Sequence, residues 1–79
     1  MSDINEAIRA AIVRDIPDAV VQVQGSGGHF VIEVTSTVFE GKSLLNKQRV
    51  VYRAIKELMA GDAAPVHAVD SLITKLPGE

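Results

Sequence analysis

Cysteine is absent from this 79-residue chain, which removes disulfides, thiolate metal sites and cysteine nucleophiles together. No apolar run approaches the roughly 18 residues that a membrane span needs. Met1-Ser2-Asp3 is acidic and reads as a helix cap rather than a leader, so a cytoplasmic protein is expected. A strong net charge is lacking too. Eight Lys and Arg against ten Asp and Glu leave −2, which gives no global attraction for nucleic acid. No nucleophile–base pair stands out, and a chain this short offers no obvious deep pocket, so no enzyme is expected.

What remains has the composition of an ordinary globular protein, 47% hydrophobic and 23% charged,. A single domain over residues 1–79 is expected,. One local absence is informative. No Asp or Glu occurs between positions 42 and 56, where Lys42, Lys47, Arg49, Arg53 and Lys56 supply five of the eight cations.

Ile4, Ala7, Ile8, Ala11 and Ile12 recur at helical spacing behind Ser2-Asp3, with Glu6 placed as in a capping box. Ile16-Pro17-Asp18 ends the pattern, because proline removes a donor and disfavours helix in the residue before it. The first helix is therefore expected at about 3–14,. Val20, Val21 and Val23 then alternate with Gln22 and Gln24. Phe30, Ile32 and Val34 alternate in the run from His29 to Thr35. The glycine-rich stretch Gly25-Ser26-Gly27-Gly28 between them predicts a hairpin with a four-residue connection,. If the Phe30 face is the core, His29 and Glu33 point the other way.

After a short connection ending in Gly41-Lys42-Ser43, the spacing predicts one long helix to about Ala60. Leu44, Val51, Ile55, Leu58 and Met59 share its apolar stripe, with Leu45 and Tyr52 at the margin. Gln48 falls inside that stripe and needs a partner if buried. Lys42, Arg49, Arg53 and Lys56 lie on roughly the opposite side, and Gly61 is a natural stop. Beyond Asp62-Ala63-Ala64-Pro65, Val66-His67-Ala68-Val69 opens a third strand whose alternation breaks at Asp70-Ser71, the mark of a bulge. Strand, helix and strand make a crossover unit that joins parallel strands. The fold class is α+β, a three-stranded mixed sheet with two helices on one face.

If the second and third strands are neighbours, this topology brings the two histidines together. Parallel strands begin at the same end of a sheet, so His29, opening the second strand, and His67, second in the third, would meet about 4.8 Å apart across the ladder. Two imidazoles do not close a tetrahedral metal site. Either another molecule completes the site, or each histidine is an ordinary strand-end residue. Ligation of a [2Fe–2S] cluster by two histidines on one iron is established chemistry, but the thiolates would have to come from elsewhere.

The segment Gly25-Ser26-Gly27-Gly28-His29-Phe30 resembles the start of the second strand in BolA-like proteins. The run from Phe39-Glu40-Gly41-Lys42-Ser43 through Leu44-Leu45-Asn46-Lys47-Gln48-Arg49-Val50-Val51-Tyr52 resembles that family's signature around its long helix. Val66-His67-Ala68-Val69 is similar to the start of its last strand. The likeness covers nearly the whole chain, in order, and is greatest to the IbaG-type bacterial branch. It implies a KH-like class II fold (αββαβ) and partnership with a monothiol glutaredoxin carrying a glutathione-bound [2Fe–2S] cluster. By the same resemblance, His29 and His67 are the ligands this chain adds to the shared cluster, with none held by the isolated chain. A monomer alone and a heterodimer with its partner are implied. The chain departs from the family spacing by one extra residue between His67 and Pro77, around Asp70-Ser71-Leu72.

Other signals carry less. The GxxG spacing in Gly25–Gly28 joins two strands, whereas KH domains use it between helices, so hairpin glycine is the better reading. Gly41-Lys42-Ser43 has Ser36 where a phosphate-binding loop needs its first glycine. The acid-free cluster Lys42, Lys47, Arg49, Arg53 and Lys56 is either a solvated helix face or a surface for glutathione carboxylates, an acidic partner or DNA phosphates. BolA-like proteins are also linked to transcriptional regulation and stress responses, which keeps a nucleic-acid-binding regulator as the alternative.

Overall fold

The computed structural model describes residues 4–61 and 64–79. The cap at Ser2-Asp3, with the Asp3 half of its capping box, and residues Asp62-Ala63 lie outside the described residues. Seven elements follow one another: α1 (Ile4–Asp15), β1 (Val20–Ser26), β2 (His29–Thr35), a 3-10 turn η1 (Thr37–Phe39), α2 (Leu44–Ala54), α3 (Lys56–Met59) and β3 (Ala68–Lys75). The sheet order is β1-β2-β3, with β1 antiparallel and β3 parallel to β2. That is the αββαβ order and mixed sheet expected, with α3 added as a turn.

Side-chain alternation sorts β2 cleanly. Phe30, Ile32 and Val34 are buried, while His29 and Val31 are exposed on the other face. Onto the Phe30 face pack Ile8, Ala11, Ile12 and Ile16 from the α1 segment and Val51, Ala54 and Ile55 from the α2 segment, closing one core. The opposite face is open, with a shallow hollow lined by Gln22, Gln24, Val31, Glu33 and Ile73. Lys75 lies 2.9 Å from Glu33, and this pairing raises its pKa.

The hairpin is tighter than the glycine-rich sequence suggested. Gly25 and Ser26 belong to β1, paired with Phe30 and His29. Only Gly27 (φ 63°) and Gly28 (φ 84°) turn. Two consecutive positive-φ residues twist in the sense of the flanking strands, so a two-residue loop suffices where four were expected.

The long helix of the sequence reading is two pieces. The ladder changes after Val51: Ile55 takes φ −107°, ψ 13°, and the Leu58 amide bonds to Ile55 rather than to Ala54. The freed Ala54 carbonyl accepts from Arg14 (3.4 Å), which also reaches Glu57 on α3 (2.8 Å). A side chain entering the ladder is a recognised cause of such a break. Fully buried Ile55 sits at the bend.

The start of the apolar stripe also needs correction. Leu44 and Leu45 are 66% and 57% exposed. Phe39, delivered by η1, is fully buried and fills the core in that stretch instead. Gln48 is only half-buried, so its position in the stripe carries no strict demand for a partner.

One polar cluster ties the α1–β1 turn to the β2–α2 connection. Asp18 accepts from the hydroxyl of buried Ser36 (2.6 Å), the hydroxyl of Thr37 (2.7 Å) and the Thr37 amide (3.0 Å). Ser36 in turn accepts from the Val38 amide, capping η1. These donors hold the Asp18 carboxyl at about 2, well below its ordinary 3.8, with the Ser36 hydroxyl contributing most.

Candidate site at the corner of β2 and β3

β2 opens directly out of the Gly27-Gly28 turn, so His29 stands at the sheet's end. Its partner across the parallel ladder is Ala68. His67 is thus the residue before β3 rather than second within it, and lies diagonal to His29, one register step away. The Gly28 carbonyl fixes this arrangement. It accepts from both the His67 and the Ala68 amides, each at 2.9 Å. The His67 ring rests against Gly28 so closely that a Cβ there would overlap the ring carbon Cδ2. Both histidines are exposed.

Asp70 is the residue that sequence reasoning left unplaced. The ladder pairs Phe30 with Val69 and Val31 with Ser71, leaving Asp70 unmatched. This is the bulge anticipated at Asp70-Ser71, and it accommodates the extra residue noted there. Its carboxylate lies 3.2 Å from His29 Nδ1. The break in alternation located the bulge, but only coordinates could show which side chain the carboxylate meets.

The chemistry open to this corner is limited. Among the described residues, no group of three or more His, Cys, Asp or Glu side chains could hold a metal ion. The chain offers two exposed imidazoles, one of them held by a carboxylate. The basic residues lie elsewhere. Lys42, Arg49, Arg53 and Lys56 are exposed and Lys47 is half-buried along the α2–α3 segment. Among the described residues, no hydrogen bond or ion pair engages their side chains.

An αββαβ module with a mixed three-stranded sheet and a histidine-bearing corner defines the class of protein. The BolA-like protein family model matches residues 6–79, and the chain belongs to that family. It is 31% identical to the acid stress protein IbaG of Escherichia coli K12 over 82% of this chain and 75% of that protein. It is also 31% identical to BolA-like protein 1 of Mus musculus over 96% of this chain, spanning only 60% of the mouse protein. Among solved structures, a BolA homologue from Coxiella burnetii superposes with a TM-score of 0.78 at 32% identity, covering 98% of this chain and 94% of that one.

Proposed function

We propose that this chain is an adaptor that binds a monothiol glutaredoxin and adds His29 and His67 to a [2Fe–2S] cluster shared with that partner and its glutathione. The setting would be iron–sulfur trafficking or iron and stress sensing. The observation that carries this reading is that His29 and His67, both exposed, flank the Gly28 turn one register step apart, and that among the described residues no set of three or more metal-ligating side chains is assembled. A self-sufficient metal site would bring its own ligand set, whereas a corner offering two leaves room for another molecule.

The donor set fits such a group. Imidazole is an established ligand of [2Fe–2S] iron, and metal-bound histidines commonly hold a carboxylate on the other ring nitrogen, as His29 does with Asp70. The cluster would bring the iron and its redox chemistry. This chain's part is to offer two ring nitrogens and to keep them accessible. Similarity to an acid stress protein supports the stress setting, and ligation by neutral imidazole would weaken on acidification.

Titrating the chain into a cluster-loaded monothiol glutaredoxin, followed by visible absorption and circular dichroism, tests this reading. The spectrum should change on mixing, and the change should vanish when His29 and His67 are both replaced by alanine. A spectrum indifferent to the chain, or to that double replacement, defeats the proposal.

A second reading rests on a separate observation. The acid-free segment from Lys42 to Lys56 carries five cations that no side chain among the described residues engages, which suits a phosphate backbone. On that reading the chain is a nucleic-acid-binding transcriptional regulator acting through its helix face.

A further inference from the structure

From the bulge in β3 we infer that Asp70 is a positioning residue: it holds the His29 imidazole in one tautomer and leaves the Nε2 nitrogen bare and directed away from the carboxylate. Any ligand role for that bare nitrogen rests on the cluster reading above, but the tautomer itself does not.

The argument begins with the ladder. β3 runs parallel to β2 with Ala68 opposite His29, Val69 opposite Phe30 and Ser71 opposite Val31. The extra residue has two consequences. It resets the alternation of β3, so that Leu72, opposite Ile32, packs against the core. It also leaves Asp70 with no cross-strand partner, at a level between Phe30 and Val31. The carboxylate meets His29 Nδ1 at 3.2 Å. A carboxylate has no proton to give, so in a neutral imidazole that contact requires Nδ1 to be the donor. The lone pair is then on Nε2. Which ring nitrogen is free to bind is set in this way by the hydrogen bond that the other one makes.

The pair does little for the fold. Both side chains are more than half exposed, at 62% and 56%, and exposed pairs of this kind contribute little to stability. Neither side chain enters the core. The contact acts on the chemistry of one exposed ring. No comparable carboxylate contact engages His67 among the described residues, and its ring is placed by Gly28 instead. The two histidines are therefore positioned by different devices, one electrostatic and one steric.

The test uses the full chain labelled with nitrogen-15 and long-range proton–nitrogen correlation spectra, recorded at mildly alkaline pH where imidazole is neutral. For His29, Nδ1 should show the shift of a protonated nitrogen and Nε2 that of a bare one. Asp70→Ala should redistribute the proton toward Nε2 and leave the thermal midpoint nearly unchanged. Asp70→Asn keeps an acceptor oxygen without the charge, and should retain part of the wild-type preference. Finding His29 chiefly protonated on Nε2 in the wild type, or the same tautomer ratio in Asp70→Ala, overturns the inference. A second arm adds cluster-loaded glutaredoxin, where Asp70→Ala should weaken association by about 10–100-fold, as loss of an outer-shell partner does elsewhere. If His29→Ala leaves the mixed spectrum intact while the tautomer still answers to Asp70, the cluster reading falls and the positioning role stands.

Discussion

At Gly28 a hydrogen in place of a methyl group decides where His67 can sit. Its φ of 84° is one that side chains other than glycine's rarely adopt, and an L-residue there costs about 1–2 kcal/mol from backbone sterics alone. The Cβ would also overlap the His67 ring. Gly28→Ala should therefore lower stability by at least that amount in urea unfolding. It should also change the His67 ring resonances more than those of His29, whose anchor is Asp70. Equal perturbation of the two rings would show that the His67 placement does not depend on Gly28. The neighbouring Gly27 meets nothing within 4 Å of an added Cβ, so Gly27→Ala carries only the backbone penalty and serves as the control. The sequence marked both glycines as turn residues. It could not mark Gly28 as the seat of a ring from far along the chain, because that contact exists only once β3 has docked.

Between elements, the Asp18 cluster holds two connections that sheet pairing alone would leave loose. The Asp18 carboxyl is depressed from 3.8 to about 2 by its three donors, so the folded state binds its proton more weakly than the unfolded chain. The stability it contributes is complete above pH 3.8 and is lost as pH falls through about 2,. Urea titrations across that window should show wild-type stability falling, and Asp18→Asn should flatten the fall and be less stable at neutral pH. Ser36→Ala removes the largest cause of the depression, so it should lower stability at neutral pH and raise the pH at which the remaining contribution is lost,. Unchanged acid sensitivity in both variants would mean that other carboxylates govern it. None of this was legible beforehand. Asp18 follows proline at the end of a helical pattern, where a turn explains it fully, and its partners lie beyond a whole hairpin. The strands were legible because period-two alternation in β2 is set by burial on one face, which the sequence records directly. The break at Ile55 was not, because the apolar positions on either side continue at helical spacing, while the Arg14 side chain that meets the Ala54 carbonyl there comes from another helix.

Across the molecule, whose axes measure 35 × 23 × 19 Å, the two candidate surfaces are separated by the sheet. His29 stands on the open face at its end, whereas Lys42, Arg49, Arg53 and Lys56 are exposed along the helical segment that covers the other face. The crossover from the end of β2 back to the start of β3 carries the chain toward the histidine corner, so Lys56 lies nearer to it than Lys42 does. A partner seated on the corner would meet the far cations only at its rim. Charges at a rim govern the rate of encounter and its salt dependence rather than the final complex. Reversing Arg49 and Arg53 to glutamate should therefore slow stopped-flow association with cluster-loaded glutaredoxin and reduce its salt sensitivity, while the spectrum at saturation stays as in the wild type. Replacing both histidines with alanine should do the reverse, removing the spectral change without altering the salt response. Nucleic-acid binding through the helix face demands another pattern. Affinity would fall steeply with salt, the double reversal would lower the logarithmic slope by about 2 as two phosphate contacts are lost, and the histidines would be dispensable. Because His29 lies on the open face of the sheet and the cations on the helices that cover the other face, their effects on any single partner should add in a double-mutant cycle. A large coupling between them would mean that the partner wraps the sheet's end and reads both surfaces as one.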